Sequence, residues 1–561
     1  MTTESWVAAI PPGLLLMAAG LLLLALRGLA RNVLLLAAPV AVLIWIWILP
    51  DGGGQSFVWL GLELTPVRVD ELSRIFATVF AIASFAGGLF ALRQERTTEL
   101  ASALIYAGAS LGVVFAGDLI TLFVFWETMA LASTLVILSG GAAARAAAQR
   151  YIVIHLFGGV LLMAGIAGEV AATGSTAFDL MEGDSVARWL ILAGFLFNAG
   201  AWPISSWLPD AYPRASWSGM VFLSAFTTKT AVYVLVRGFA GEDILIWFGL
   251  IMVFYGIIYA ILENDIRRVF AYSIVNQIGF MVVGIGIGTE MALNGAVAHA
   301  FAHIIYKGLL LMSVGAVLFQ TGKSKCTDLG GLFRTMPLTA ICGIIGALSI
   351  SAFPLTSGFI AKSMVTDAAL HEHMAFVWYS LAAASAGGFL YAGMKFPWFV
   401  FFQKDSGLRP PDPPMSMRLA MILLSALCLI IGIVPSLLYS MLPYEVDFVP
   451  YTLEHVVYQL QLLLFSGLAF FLLLKLLART KTLTLDTDWL WRKALPAIGN
   501  WLDDTRQRRP IGRMRSGLGR VASSLIQIAA PGAIIARSRP TGMMAFWATL
   551  LLAAYLVLYY L

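Results

Sequence analysis

The sequence predicts an all-α polytopic membrane protein with about sixteen transmembrane helices. Three observations carry that expectation. Of the 561 residues, 60% are hydrophobic and only 12% are charged, about half the charged share of an ordinary soluble chain. The apolar residues form continuous stretches close to the roughly 20 residues that span a bilayer, not the alternating pattern of a β-barrel. Lysine and arginine gather in alternate connections, as they do in multi-pass proteins oriented by charge.

In chain order, the expected spans are 12–27, 33–50, 75–92, 99–116, 118–139, 150–172, 188–206, 218–238, 244–262, 268–288, 291–319, 338–372, 376–402, 417–436, 453–478 and 541–560. No basic stretch precedes the first, so it reads as a retained helix and not as a cleaved leader. Arg93, Arg96, Arg145, Arg214, Arg267 and Lys325 fall in connections on one side, together with the basic stretch after Lys475. Those connections are expected in the cytoplasm. The connections at 180–184 and 241–243 on the other side are acidic.

Two spans are interrupted. "FLFNAGAWPISSWLPDAYPRASWSG" carries Pro203, Pro209 and Pro213, and "SISAFPLTSGFIAKSM" carries Pro354 and Gly358. Proline removes a backbone donor, and open backbone at membrane depth survives only inside protein or beside water. Two broken helices at matching places point to an ion pathway, and two plain proline kinks are the alternative. Residues 479–540 are mixed and basic with aromatic punctuation, which suits an amphipathic segment on the cytoplasmic face before the last span. A solvated basic tail would look similar.

The net charge of +5 reflects loop topology and gives no reason to expect nucleic acid. Cys326, Cys342 and Cys428 lie far apart, in neither a disulfide nor a zinc spacing. No nucleotide loop, cofactor motif or nucleophilic triad is visible, so neither autonomous chemistry nor a cofactor is expected.

The informative residues are ionisable groups inside spans, where each costs about 2.5–3.5 kcal/mol at mid-helix. Glu127 sits near the centre of "GDLITLFVFWETMALASTLVIL". Lys229 lies in "VFLSAFTTKTAVYVLVRG", about ten residues from either end, too deep to snorkel easily. His299, His303 and Lys307 stand at i, i+4 and i+8, one stripe of a helix able to pass protons along bridging waters. Two histidines at i, i+4 can also hold a metal, but no carboxylate or cysteine accompanies them and no metal is expected. Lys362 follows the break in "FPLTSGFIAKSMVTD". His155 reads equally as a relay or a core residue. Asp118 and Lys395, near span ends, read as anchors, with Asp118 a possible accessory group.

These residues fall in stretches that resemble a known family. "PVRVDELSRIF", "DLITLFVFWETM", "SWLPDAY", "FTTKTAVYVLVR", "NDIRRVFAYSIVNQIGF", "HAFAHIIYKGLLLM" and "PLTSGFIAK" run in order over about residues 65–400. They resemble the antiporter-like membrane subunits shared by respiratory complex I and the Mrp multisubunit cation/proton antiporters, with the D-type subunits of sodium/proton antiporters the best match. The resemblance implies two inverted five-helix repeats, near 99–238 and 244–402. N-terminal helices (1–98) would precede them. C-terminal helices (403–478), a lateral amphipathic segment (479–540) and a final span (541–561) would follow.

It also implies a proton pathway through Glu127, Lys229, His299, His303, Lys307 and Lys362. The expected partners are other subunits of a hetero-oligomeric complex, sodium or another monovalent cation, protons, and the lipid of a bacterial inner membrane. One departure stands out: where the family carries a lysine in the first broken helix, this chain has Asn198. The departure counts against plain complex-I-style pumping and keeps open a non-transporting scaffold; the other alternative is a proton-translocating subunit of complex I (NADH-quinone oxidoreductase) or of a membrane-bound hydrogenase.

Overall fold

A computed structural model describes residues 10–475, 477, 486–494, 497–498 and 500. Each expected span from 12–27 to 453–478 has its helix there. Twelve helices among the described residues are long and apolar enough to cross a membrane, and three shorter apolar ones accompany them. The span at 541–560 and most of the segment 479–540 lie outside the described residues. The chain divides at Thr487, and the described part of the second unit includes a short helical turn, Leu490–Ala494, whose Arg492 pairs with Asp488 at 2.8 Å.

In the first unit, α1 (Gly13–Leu23) and α2 (Gly28–Ile48) precede a connection that holds the little sheet there is. Four two- or three-residue strands pair as Gly52–Gly53 with Arg68–Val69 and Phe57–Trp59 with Leu62–Leu64. The second pair closes through Leu60 and Gly61, both at positive φ, as a two-residue hairpin loop of matching twist requires. Helical patterning of the flanking spans does not reveal these short pairs. α3 (Glu71–Phe90) opens with a capping box from Asp70 and Ser73.

Two sets of five spans follow. The first is α4 (Thr97–Phe115), α5 (Leu119–Leu138), α6 (Arg145–Thr173), a broken fourth span and a fifth. The fourth runs as α7 (Val186–Ala199), an open stretch, and α8 (Trp207–Ala211). The fifth is α9 (Gly219–Ala225) and α10 (Thr227–Gly238), interrupted at Phe226. The second set is α11 (Ile244–Leu262), α12 (Ile266–Ile287), α13 (Glu290–Thr321), a fourth span broken between α14 (Pro337–Ile350) and α15 (Ser357–His371), and a fifth. That fifth begins as α16 (Ala375–Gly388) and continues through wide π-turns at Phe389–Lys395 and Trp398–Phe402. α17 (Met415–Ile433), α18 (Ser436–Tyr439) and α19 (Leu453–Leu472) complete the described helices.

The two sets share a plan beyond their order. Asp118 and Asp265 cap the second helix of each set, and each forms an isolated bridge to the chain just after the third helix, Asp118 with Ala177 and Asp265 with Lys325. Asp118 therefore does the work of an anchor: its carboxylate accepts from the Thr121 and Thr65 amides at 2.7 and 2.8 Å. Because successive spans alternate in direction, the Asp118 bridge lies on one side of the bundle and the Asp265 bridge on the other.

The breaks fall where the sequence places them. α7 ends at Gly200 in a left-handed conformation, three residues before Pro203. α14 ends four residues before Pro354. At about 1.5 Å per residue, neither α14 nor α15 spans a bilayer alone, so the open backbone between them sits at depth. α12, α13 and α9–α10 are buried almost along their whole length and form the centre of the core, whereas α19 and α2 expose most of theirs.

Candidate proton-relay site

The expected stripe on α13 is present and fully enclosed: His299, His303 and Lys307 are all buried. The His299 and His303 rings lie 6.2 Å apart, nearly perpendicular. The partners that organise the stripe come from other helices. Lys307 Nζ donates to Ser273 Oγ at 2.6 Å, and Ser273 Oγ donates to the Tyr391 hydroxyl at 3.0 Å. Tyr391 donates onward to Asn276 Oδ1 at 3.0 Å and accepts from Gln277 Nε2 at 3.4 Å. Gln277 Oε1 accepts from Tyr306 at 3.1 Å, and His299 Nε2 lies 2.9 Å from the Tyr306 hydroxyl. One chain of contacts thus joins Lys307 to His299 through α12 and the first π-turn.

Ser273, Asn276 and Gln277 could have been found from the sequence, because they form a polar i, i+3, i+4 face in an otherwise apolar helix. Tyr306 and Tyr391 carry no such signal, since a tyrosine within an apolar span looks like any other core aromatic.

Both flanking lysines sit at helix breaks. Lys229 Nζ donates to the Ser224 carbonyl at 2.6 Å and to Thr228 Oγ1 at 3.1 Å, beside the interruption at Phe226. Lys362 Nζ donates to the Ile350 carbonyl at 2.7 Å, the last of α14, and lies over the Phe280 ring. A carbonyl released by a broken helix needs a donor, and in each case the lysine supplies it. Lys229, Lys307 and Lys362 all act electrostatically on His299 and His303. Five basic groups therefore share one buried core, so a proton added to one disfavours a proton on its neighbours. Both ring nitrogens of His303 are buried with no hydrogen-bond partner, and this is the gap in the direct chain.

Glu127, Asn198 and His155 stand apart from that cluster. Glu127 is half-buried, and its Oε1 presses on Gly159 of α6, where an added methyl carbon would lie 1.9 Å away. That oxygen has no hydrogen-bond partner among the described residues. Asn198 is buried with both amide atoms unpartnered. His155, four residues before Gly159 on the same helix, stacks on Tyr151 and leaves Nε2 unpartnered. Lys395 is an anchor: it donates to the Ala260, Ile261 and Glu263 carbonyls at the end of α11.

Residues 116–387, which contain all of these groups but Tyr391 and Lys395, match the membrane-domain model described as NADH:quinone oxidoreductase/Mrp antiporter. The D-type subunit of the sodium/proton antiporter of Alkalihalophilus pseudofirmus is 31% identical over 352 residues, 57% of this chain and 71% of that protein. The chain belongs to this family. The A/B-type subunit of a probable potassium/proton antiporter of Rhizobium meliloti is 29% identical over 67% of this chain, but that match spans only 41% of the longer relative. The solved Mrp complex of a Dietzia species superposes with a TM-score of 0.77 at 25% identity, over 96% of this chain and 64% of its counterpart. The described residues therefore share the antiporter-family fold, within relatives that are often longer.

Proposed function

We propose that this chain is one subunit of a multisubunit sodium (or other monovalent cation)/proton antiporter in a bacterial inner membrane, and that residues 99–238 and 244–402 each supply a half-channel. The observation that carries this reading is the enclosed cluster of Lys229, His299, His303, Lys307 and Lys362. Buried basic groups without a carboxylate among them are expensive to keep and are useless as structural ion pairs. They make sense as sites that are charged in turn.

The proton path runs from Lys229 through His303 to Lys307. It continues through the Ser273–Tyr391–Gln277 bridge to His299, and from there to Lys362. Water fills the three gaps where no side-chain contact exists, on either side of His303 and between His299 and Lys362. Like-charge coupling supplies the drive: protonating one station lowers the affinity of the next, so charge moves on when an outside gradient pushes it. Glu127 is the carboxylate of the first half-channel. With Asn198 in place of a cation, its counter-charge arrives as a transported ion.

The test is cation-dependent proton movement in membrane vesicles that hold the whole complex. Lys229→Ala and Lys362→Ala should each abolish it, with assembly checked by co-purification. Unchanged transport in assembled variants would remove the proposal. Co-purification with iron–sulfur subunits would place the same pathway in a redox-driven complex instead.

A further inference from the structure

Beyond Lys362, the second half of α15 faces two adjoining cavities that the relay above does not use. The inner one, about 300 Å³, is bounded by Lys362, Thr366, Asp367, His455, Tyr458 and Gln459. The outer one, about 720 Å³, is bounded by Asp367, Glu290, His371, Glu445, Asp447 and His455. Only Asp367 and His455 of these border both. Glu290, His371, Glu445 and Asp447 are exposed, so the outer cavity meets the surface. Chain direction puts that surface on the face opposite the basic connections, because α13 begins there and α15 ends there.

Asp367 is held at the junction. His371 Nε2 is 3.5 Å from one of its carboxylate oxygens and His455 Nε2 is 3.6 Å from the other. His455 keeps a buried Nδ1 with no partner, a free position for a proton or a water. At the inner end, Gln459 Nε2 donates to the Ser351 carbonyl at 3.1 Å, next to the Ile350 carbonyl that holds Lys362. α19 is thereby tied to the break itself. Lys362 and Asp367 are separated by about 7.5 Å of helix rise. A cavity of this volume, lined by polar groups on one side and by apolar ones such as Phe359 and Trp378 on the other, has room for about ten waters at ~30 Å³ each.

The charges favour cations. Glu290, Asp367, Glu445, Asp447 and Glu454 face the two cavities, against His371, His455 and the enclosed Lys362. A recess lined by one sign of charge concentrates the opposite ion.

We propose that Asp367 is the outer proton station of the second half-channel, passing protons between Lys362 and this acidic vestibule, with His455 and His371 as its exchange partners. The step is a proton transfer only: the Lys362 ammonium gives its proton through water to the Asp367 carboxylate, and the carboxyl releases it to a histidine or to vestibule water. Lys362 is then recharged from the Lys307 side. This rests on the antiporter reading and adds the route by which its pathway reaches water.

Two measurements on the intact complex test it. The three native cysteines are buried, so Ser363→Cys, which lines the inner cavity, should react with a charged, membrane-impermeant thiol reagent only from the face opposite the basic connections. Labelling from the basic face, or none from either face, overturns the proposal. In vesicles, Asp367→Asn should slow transport by roughly tenfold or more and flatten its pH profile, and Asp367→Glu should restore both. If Lys362→Ala is inactive while Asp367→Asn keeps the native rate and pH profile, Asp367 is no relay and the antiporter reading stands. If Lys362→Ala is itself active, the reading falls and the vestibule proposal with it.

Discussion

The first and second five-helix sets share a helix order, a capping aspartate and a broken fourth span, yet they handle buried polarity differently. In the second set, Lys307, Lys362 and His299 Nε2 reach side-chain or carbonyl partners, while His299 Nδ1 and both ring nitrogens of His303 are left bare. In the first set, Glu127 Oε1, His155 Nε2 and both amide atoms of Asn198 are buried without a partner. Each such atom costs roughly 1–3 kcal/mol if nothing satisfies it. The second set links Lys307 to His299 through side chains. The first set leaves Glu127 and Asn198 without such links. Shared topology sets where charges sit, and individual side chains decide whether they are wired together.

The largest test of that contrast is to remove the lysines at the two breaks. Lys229→Ala and Lys362→Ala should each bring vesicle transport to background, and native-rate transport in either variant would break the picture of one linked path. Next is the bridge in the second set. Tyr391→Phe removes the hydroxyl between Ser273 and Gln277 and should slow transport about fivefold, the equivalent of one hydrogen bond of about 1 kcal/mol. An unaffected rate would mean that water bypasses the tyrosine.

Asn198→Lys asks whether the first set lacks only a counter-charge. Combined with Glu127→Gln in a double-mutant cycle on transport rate, it should show a coupling of about 1 kcal/mol. Zero coupling would separate the two positions. The smallest effect belongs to a control outside the core. Arg409 and the Gly407 amide hold the exposed Asp405 carboxyl below the usual carboxylate range. The stabilisation is therefore complete above the ordinary value of about 3.9 and is lost as pH falls through the lowered one. Asp405→Asn should leave transport unchanged, and its small difference in melting temperature from the native protein should persist at neutral pH and vanish only in strong acid.

Much of this was legible before any coordinates. Hydrophobic runs located the spans, because a helix in a bilayer must be long and apolar whatever it packs against. Pro203 and Pro354 marked the breaks, because a missing donor is a local fact. The stripe of His299, His303 and Lys307 followed from helical periodicity alone. Asp367, His371 and His455 escaped notice because they sit near span ends, where charged residues are ordinary, and gain meaning only from the cavities between α15 and α19.

By itself, then, the sequence determined which titratable groups are carried to membrane depth and on which helix face they stand, since both depend on near neighbours along the chain. The tertiary structure decided which of them are connected. Ser273 and Tyr391 lie 118 positions apart, and Asn198 is stranded beside a helix that offers it no partner. Hydrogen bonds between helices form only at about 3 Å, and no pattern along a single helix specifies what its neighbours will bring within that reach.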